Sequence, residues 1–348
     1  MNRTLHALLG TLVASVLLSG CAGSPTTPTT SAPTPSAATT TAGPEVTINV
    51  ASLKGPTTMG LVKLMEDAKT GVGKQDYQVT MYGAPDEVVP LVVQGTVDVA
   101  LIPSNLAAVL YNQTRTDAGP AVQVAAINTL GVLEIVESGD TVHSWADLAG
   151  KTIYTTGKGT TPEYVLDYLL TRNGLDPATD VTVEFKSEAT ELASLLTSTP
   201  GTVAVLPQPY VTVVAQQSQG AVRSAFNLTD EWVTVSPAGS QLITGVLVVR
   251  SAFAKEHPAA FADFLTDYQA STTYTNDEPA AAAELIAAAG IVPAAPVAEK
   301  AIPNSHVTFI AGDGMKAALD GYLAVLFDAD PKSVGGTMPG DDFYYLGS

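Results

Sequence analysis

Groups suited to covalent or metal chemistry are scarce in this chain. Cysteine occurs once in 348 residues, at Cys21, so no intramolecular disulfide can form and stability rests on packing. His143, His257 and His306 are dispersed, without metal-ligand spacing. There is no Gly-x-Ser-x-Gly elbow and no phosphate-loop signature. The sequence therefore gives no sign of an enzyme, a resident cofactor or a metal, and energy from ATP would have to come from partner subunits. Basic groups are also few, with 16 Lys and Arg against 34 Asp and Glu and a net charge of −18. That argues against nucleic acid and against charge-driven binding to an anionic membrane. A long apolar run is missing too. Leu5 to Leu18 falls short of the roughly 20 residues that a helical span needs.

That short apolar stretch follows Arg3 and precedes small residues, which are the three parts of a secretory signal over residues 1–20. Cys21 directly follows Leu18-Ser19-Gly20, a sequence that resembles the lipobox of bacterial lipoproteins. There, lipid is attached to the thiol and the chain is cut just before it; a coincidental leader cysteine is the plain alternative. The resemblance implies lipidation of Cys21 and a mature chain held on the extracytoplasmic face of a cell membrane by acyl chains alone. From Ala22 to Pro44 the chain carries no charge and consists almost entirely of Thr, Pro, Ser, Ala and Gly. Such a segment cannot offset its ordering entropy by burial, so residues 21–44 read as a tether, and Thr/Pro-rich stretches can also carry sugars.

About 300 residues follow from Glu45, enough for two lobes of ordinary size. Apolar residues make up 46% of the chain and charged ones 14%, as expected for buried α/β sheets. Strand patterns at 46–53, 77–82, 97–102 and 122–127 alternate with helical patterns at 56–69, 84–94 and 103–111. After 130–136 the alternation starts again. Strands at 152–156, 181–185, 202–206 and 223–227 are interleaved with helices at 162–173, 189–197 and 210–218. The run 242–249 reads as one more strand. Helices at 258–274, 279–289 and 313–327 close the chain, with Asp313 placed as an N-cap rather than a metal ligand. Strict alternation implies parallel sheets covered on both faces.

Asp147-Leu148-Ala149-Gly150-Lys151-Thr152-Ile153, leading through a strand to a Gly-rich loop and a helix, resembles the central lobe of type II periplasmic binding proteins. The opening Ala51-Ser52-Leu53-Lys54-Gly55-Pro56-Thr57-Thr58-Met59-Gly60 resembles the first strand-loop-helix of solute-binding lipoproteins in the nitrate/sulfonate/taurine group of ABC importers. The ending Gly335 to Tyr345 resembles a tail found in one branch of that group. The resemblance covers nearly all of the chain after Glu45. It implies an α/β, two-lobed fold with a mainly parallel, helix-flanked sheet in each lobe. Lobe 1 would comprise 45–137 plus 239–348, and lobe 2 would be 138–238. It further implies a monomer that captures a small-molecule ligand in the interlobe cleft by hinge closure and delivers it to ABC permease and ATPase subunits. An enzyme on the same scaffold, or a sensory module reporting to a membrane receptor, are the readings from other classes.

Two similar loops mark where a ligand would sit. Lys54-Gly55-Pro56-Thr57-Thr58 follows the first strand of lobe 1 and opens a helix. Gly157-Lys158-Gly159-Thr160-Thr161-Pro162 does so in lobe 2. Ligands of open α/β sheets bind beyond the carboxyl ends of the strands, and hydroxyls, backbone N–H groups and a helix dipole together attract an anion. Gly, Thr and Pro also start helices with no ligand at all. Further candidates are Ser104 and Asn105 after a third strand, and Gln208 and Tyr210 after its counterpart in lobe 2. Related proteins often carry Glu-Pro where this chain has Gln208-Pro209, which puts a cationic ligand group in doubt. Tyr154, Tyr210 and Trp232 suit either stacking on a planar ligand or packing. The loops carry Lys54 and Lys158 but no Arg, which favours a sulfonate- or carboxylate-like monoanion over phosphate. A planar vitamin precursor is the alternative.

Overall fold

A computed structural model describes residues 45–347; the leader, Cys21 and the tether lie outside them. The first sheet takes its opening strands from β1 (Thr47–Leu53), β2 (Asp76–Tyr82), β3 (Val99–Pro103) and β4 (Val122–Leu130). Between them run α1 (Pro56–Met59), α2 (Val62–Thr70), α3 (Pro85–Gln94) and α4 (Ser104–Thr114). The single helix expected over 56–69 is broken at Gly60. A Cβ there would stand 2.9 Å from Val307 and 3.1 Å from the Thr272 hydroxyl, so the backbone passes too close to the wall for a side chain.

The second sheet holds β5 (Leu133–Ser138), β6 (Thr152–Thr156), β7 (Thr182–Lys186), β8 (Val203–Pro207) and β9 (Val222–Asn227). Its helices are α5 (Thr161–Arg172), α6 (Ala189–Ser198), α7 (Tyr210–Gln217) and α8 (Leu228–Val235). The chain then returns to the first sheet with β10 (Ile243–Arg250), α9 (Ser251–Glu256), α10 (Pro258–Asp277), α11 (Pro279–Ala288), α12 (Ala295–Ala301), β11 (Val307–Ile310) and α13 (Gly312–Ala329). Helix α13 starts at Gly312, so Asp313 sits in its first turn, where it suits the dipole, and not at the cap. Among the described residues no helix is long and apolar enough to cross a membrane.

Strand order is β11-β4-β10-β3-β1-β2 in one sheet and β7-β6-β8-β5-β9 in the other. Read from the β2 and β7 edges, the first five places correspond one to one. In each lobe the first three strands pair parallel. The strand that arrives from the opposite lobe, β10 or β5, is inserted antiparallel. Four strands in each sheet thus share a direction. Strands β5 and β10 are central and largely buried, and such burial carries no information about direction.

The chain crosses at 131–132, before β5, and again at 236–242. The first crossing precedes the expected boundary at 137, because β5 pairs with β8 and β9 in the second sheet. Gly131 marks it instead: a Cβ there would fall 2.1 Å from the Thr229 hydroxyl and 3.3 Å from Leu242 of the returning segment. One apolar cluster continues through both lobes, from Ala100 and Ile102 through Leu133 and Ile135 to Trp232 and Tyr322.

Candidate functional site

The carboxyl ends of β1, β2 and β3 face those of β6, β7 and β8 across a chamber of about 100 Å³. Lobe 1 supplies Leu53, Lys54, Thr57, Pro103 and Thr244, and lobe 2 supplies Leu133, Thr156, Gly157, Thr160, Thr161 and Ser187. Past Gly157 and Thr160 it opens into a cleft of about 550 Å³ reaching Lys158, Phe185 and α3. Past Lys54 it opens into a groove of about 520 Å³ between α6 and α7 on one side and residues 287–293 on the other.

Lys54 is the one charged residue of the chamber lining, and its ammonium has no ion pair among the described residues. Its backbone N–H donates to Tyr82 O at 2.9 Å, which fixes the β1 end. Gly55 follows with φ 136°, a conformation that favours glycine, and a Cβ there would lie 3.5 Å from the Tyr210 ring across the cleft. Pro56 then opens α1 at the position where a missing N–H costs nothing.

The threonines are not the open donors that the loop pattern suggests. Thr57 and Thr58 both donate to Leu53 O, at 2.7 and 2.6 Å, and Thr58 is fully buried behind the wall against Ser52. Thr160 donates to Gly157 O at 2.5 Å. Thr161 donates to Asn105 Oδ1 at 3.1 Å, and its oxygen stands 3.2 Å from Ser104 Oγ.

Ser104 and Asn105 are likewise engaged, within lobe 1 and across to Gly159 and Thr161 of lobe 2, rather than directed into the chamber. Ser104 donates to Ile243 O at 2.5 Å, and Asn105 Nδ2 donates to Ser333 O at 2.9 Å and Gly159 O at 3.3 Å. These bonds form a buried clasp from the starts of α4 and α5. In lobe 2, Lys158 turns outward, with its ammonium 5.6 Å from the Phe185 ring centre, and lines the wider cleft.

Gln208 is buried away from the chamber. Its amide N donates to Glu134 at 3.0 Å and its carbonyl accepts from Thr212, so the neutral amide satisfies a buried carboxylate. Tyr210 lines the groove beyond Lys54, and burial, then Glu188, pushes its phenol up. Trp232 is packed between Tyr168 and Tyr322, with its N–H on Ser240, and Tyr154 lies under the Lys186 ammonium.

Local patterns pointed to neither Thr244 nor Ser187. The Thr244 hydroxyl is buried without a hydrogen-bond partner among the described residues and belongs to the chamber wall. The signal was available, because Thr244-Gly245 interrupts the apolar run of β10. The chamber lining contains no Asp, Glu, His or Cys. Its polar capacity is one ammonium, hydroxyls and backbone at the start of α5, which can hold a small group of low negative charge.

The family model described as NMT1/THI5 like matches residues 75–282. No curated protein sequence matches the chain. Among solved structures, an ABC transporter protein from Parabacteroides distasonis superposes with a TM-score of 0.68 at 22% identity, covering 86% of this chain and 98% of its own. The alkanesulfonate-binding protein SsuA of Xanthomonas axonopodis pv. citri, bound to MOPS, gives 0.65 at 16% identity, covering 86% and 96%. The periplasmic nitrate-binding protein NrtA of Synechocystis PCC 6803 gives 0.58 at 12%, covering 78% and 75%. At these identities the likeness establishes the two-lobed periplasmic binding protein fold.

Proposed function

This chain belongs to the NMT1/THI5-like family, and from that premise we propose that it is the solute-binding component of an ABC importer, closing its two lobes on a small organic monoanion. The observation that carries this reading is the unpaired ammonium of Lys54 in an otherwise uncharged chamber, at the strand ends of both lobes and facing the start of α5. A sulfonate or carboxylate suits that setting, since a single Lys supplies one point charge and the start of α5 adds the Thr161 N–H and the helix dipole. A doubly charged anion would bring a second charge with no partner.

In this reading the two sheets move as lobes about the crossings at 131–132 and 236–242. The protein acts as a monomer, anchored through lipid on Cys21 outside the cytoplasmic membrane, and hands its ligand to permease and ATPase subunits. Native mass spectrometry of the purified protein, followed by calorimetric titration with short alkanesulfonates and carboxylates, tests the ligand class. A retained neutral or cationic ligand, or preference for a dianion, overturns it. Cys21→Ala should shift the protein from the membrane pellet to the soluble extracytoplasmic fraction, and an already soluble, unlipidated wild type removes the anchor.

A further inference from the structure

On the face away from the chamber, a cavity of about 790 Å³ lies between α5 and residues 235–237 of lobe 2 and the end of α13 in lobe 1. Its titratable wall is Tyr164, Asp167, Tyr168 and Arg172 from α5, with Asp328 and Asp330 opposite. Residues 235–237 add Val, Ser and Pro, which do not titrate. Glu163 stands one turn before Asp167 on the same helix. Asp167 is half-buried and has no hydrogen bond or ion pair among the described residues. Arg172, the one cation of the cavity wall, makes no ion pair among the described residues either, so it does not neutralise Asp167 by contact.

Physical chemistry makes such a carboxylate a poor place for charge. Burial removes water from Asp167, and the charges of Glu163 and Asp330 repel its anion, so its pKa is pushed up to about 6. Burial and the same Asp330 push the neighbouring Tyr164 up as well. Both sides of the wall are tied to the buried clasp at Asn105, whose partner Thr161 lines the chamber. Glu163 accepts the Gly159 N–H, and Gly159 O accepts from Asn105. Asn105 also donates to Ser333 O, and the Ser333 N–H donates to Asp330 O at 2.9 Å.

We propose that this acidic groove is a proton-sensitive joint between the lobes. Loss of the Asp167 proton sets like charges on α5 and on Asp330 against each other and disfavours the arrangement seen here, whereas acid holds it. The consequence for affinity rests on the reading of the chamber as a ligand site; the movement of the lobes does not. The arrangement in which the group's pKa is higher binds the proton more tightly, so it gains population as pH falls. Each unit by which Asp167 differs between two arrangements changes their ratio by about tenfold.

The full chain with Cys21→Ser, Val93→Cys and Val233→Cys places a spin label on an exposed site in each lobe, 57% and 68% accessible in the native residues. Pulsed dipolar spectroscopy at pH 5 and 7.5, without added ligand, should show the distance of this structure gaining at least about threefold over other populations in acid, in one step near pH 6. Asp167→Asn should hold the acid distribution at both pH values. Asp330→Asn, which keeps an acceptor for the Lys332 N–H, should weaken the step and serves if the first variant does not fold. A distribution independent of pH, or a step unchanged in Asp167→Asn, overturns the joint. Adding MOPS, the sulfonate bound by the Xanthomonas protein, to the same labelled chain reports separately. No response to MOPS at either pH counts against the sulfonate reading and leaves the pH step to judge the joint.

Discussion

The two lobes share a strand order but not a cleft. Far from the chamber the correspondence extends to how each sheet is tied. In lobe 1, Asp98 is bound by Arg250 at 2.7 Å and by the Asn49 N–H at 3.0 Å, joining β3 to the end of β10. In lobe 2, Glu137 near the end of β5 is bound by Arg223 of β9 at 3.0 Å and by the N–H groups of Thr141 and Val142. The inserted antiparallel strand is pinned both times by an ion pair between a buried carboxylate and a half-buried arginine, with the charges exchanged. At the chamber end, two loops of nearly the same composition diverge. Lys54 faces the chamber beside a helix of one turn, whereas Lys158 leans outward on Phe185 beside a helix of three turns. A shared scaffold therefore does not carry shared roles at its loops.

The largest effect expected tests the scaffold half of that comparison. Glu137→Leu takes the acceptor from the Thr141 and Val142 N–H groups and the Thr141 hydroxyl, and leaves Arg223 only Asp140 and Val142 O; it should cost about 3–5 kcal/mol in denaturant unfolding. Asp98→Leu should cost about the same, and a gap above about 2 kcal/mol between them would break the equivalence of the two ties. Glu137 also fixes a pH dependence. Burial pushes its carboxyl up, but the bonds from Thr141 and Val142 and the Arg223 charge outweigh it and hold the pKa below 4.5. Its stabilisation is complete above that ordinary value and is lost as pH falls through the depressed one. Wild type should lose that increment in acid, and Glu137→Leu should not. An acid limb of equal steepness in both would locate the titration elsewhere.

Next in size is the cleft itself. Lys54→Gln removes the chamber's one charge and should weaken a bound monoanion by about 1.5–3 kcal/mol, roughly ten- to a hundredfold in Kd by calorimetry. Binding unchanged by Lys54→Gln would sink the anionic reading.

The threonines separate the lobes more finely. Thr161→Val takes the donor from buried Asn105 Oδ1 and a neighbour from Ser104, across the lobes, at an expected cost of about 1–3 kcal/mol in stability. Thr57→Val should cost about 1 kcal/mol or less, because Leu53 O keeps its bond from Thr58. Equal costs would mean that the clasp between α4 and α5 contributes no more than a local turn.

These contrasts mark how far the sequence could be read. Alternating periodicity located β1 to β4 and β6 to β9 within a few residues, and Lys-Gly loops after strands pointed to the chamber wall. What stayed hidden depends on distant partners. Ser104 meets Ile243 across 139 positions and Asn105 meets Ser333 across 228, and no local pattern announces that a hydroxyl or amide is already engaged. Gln208 was read as a replacement in a ligand contact, when its partner is Glu134 on the adjacent strand. Helix α12, an Ala- and Pro-rich segment with two buried alanines, and the four-residue β11 lack enough periodicity to stand out.

Lys158→Gln should have the smallest effect, and it bears most directly on the paired loops. Read from sequence, Lys158 is the equal of Lys54, and its loss should weaken an anion substantially. The structure places its ammonium over Phe185 at the edge of the wide cleft, exposed to water. A charge there acts on the chamber through solvent and is screened within about 8 Å at physiological salt. Affinity should therefore change less than about twofold at 0.15 M salt, with a modest increase in the effect at 0.01 M. The lost contact with Phe185 should lower stability by no more than about 0.5–1 kcal/mol. A tenfold loss of affinity that survives high salt would mean that the 157–161 loop turns Lys158 inward on binding. The two loops would then be equivalent in the bound protein, and the asymmetry seen here would belong to one arrangement of the lobes.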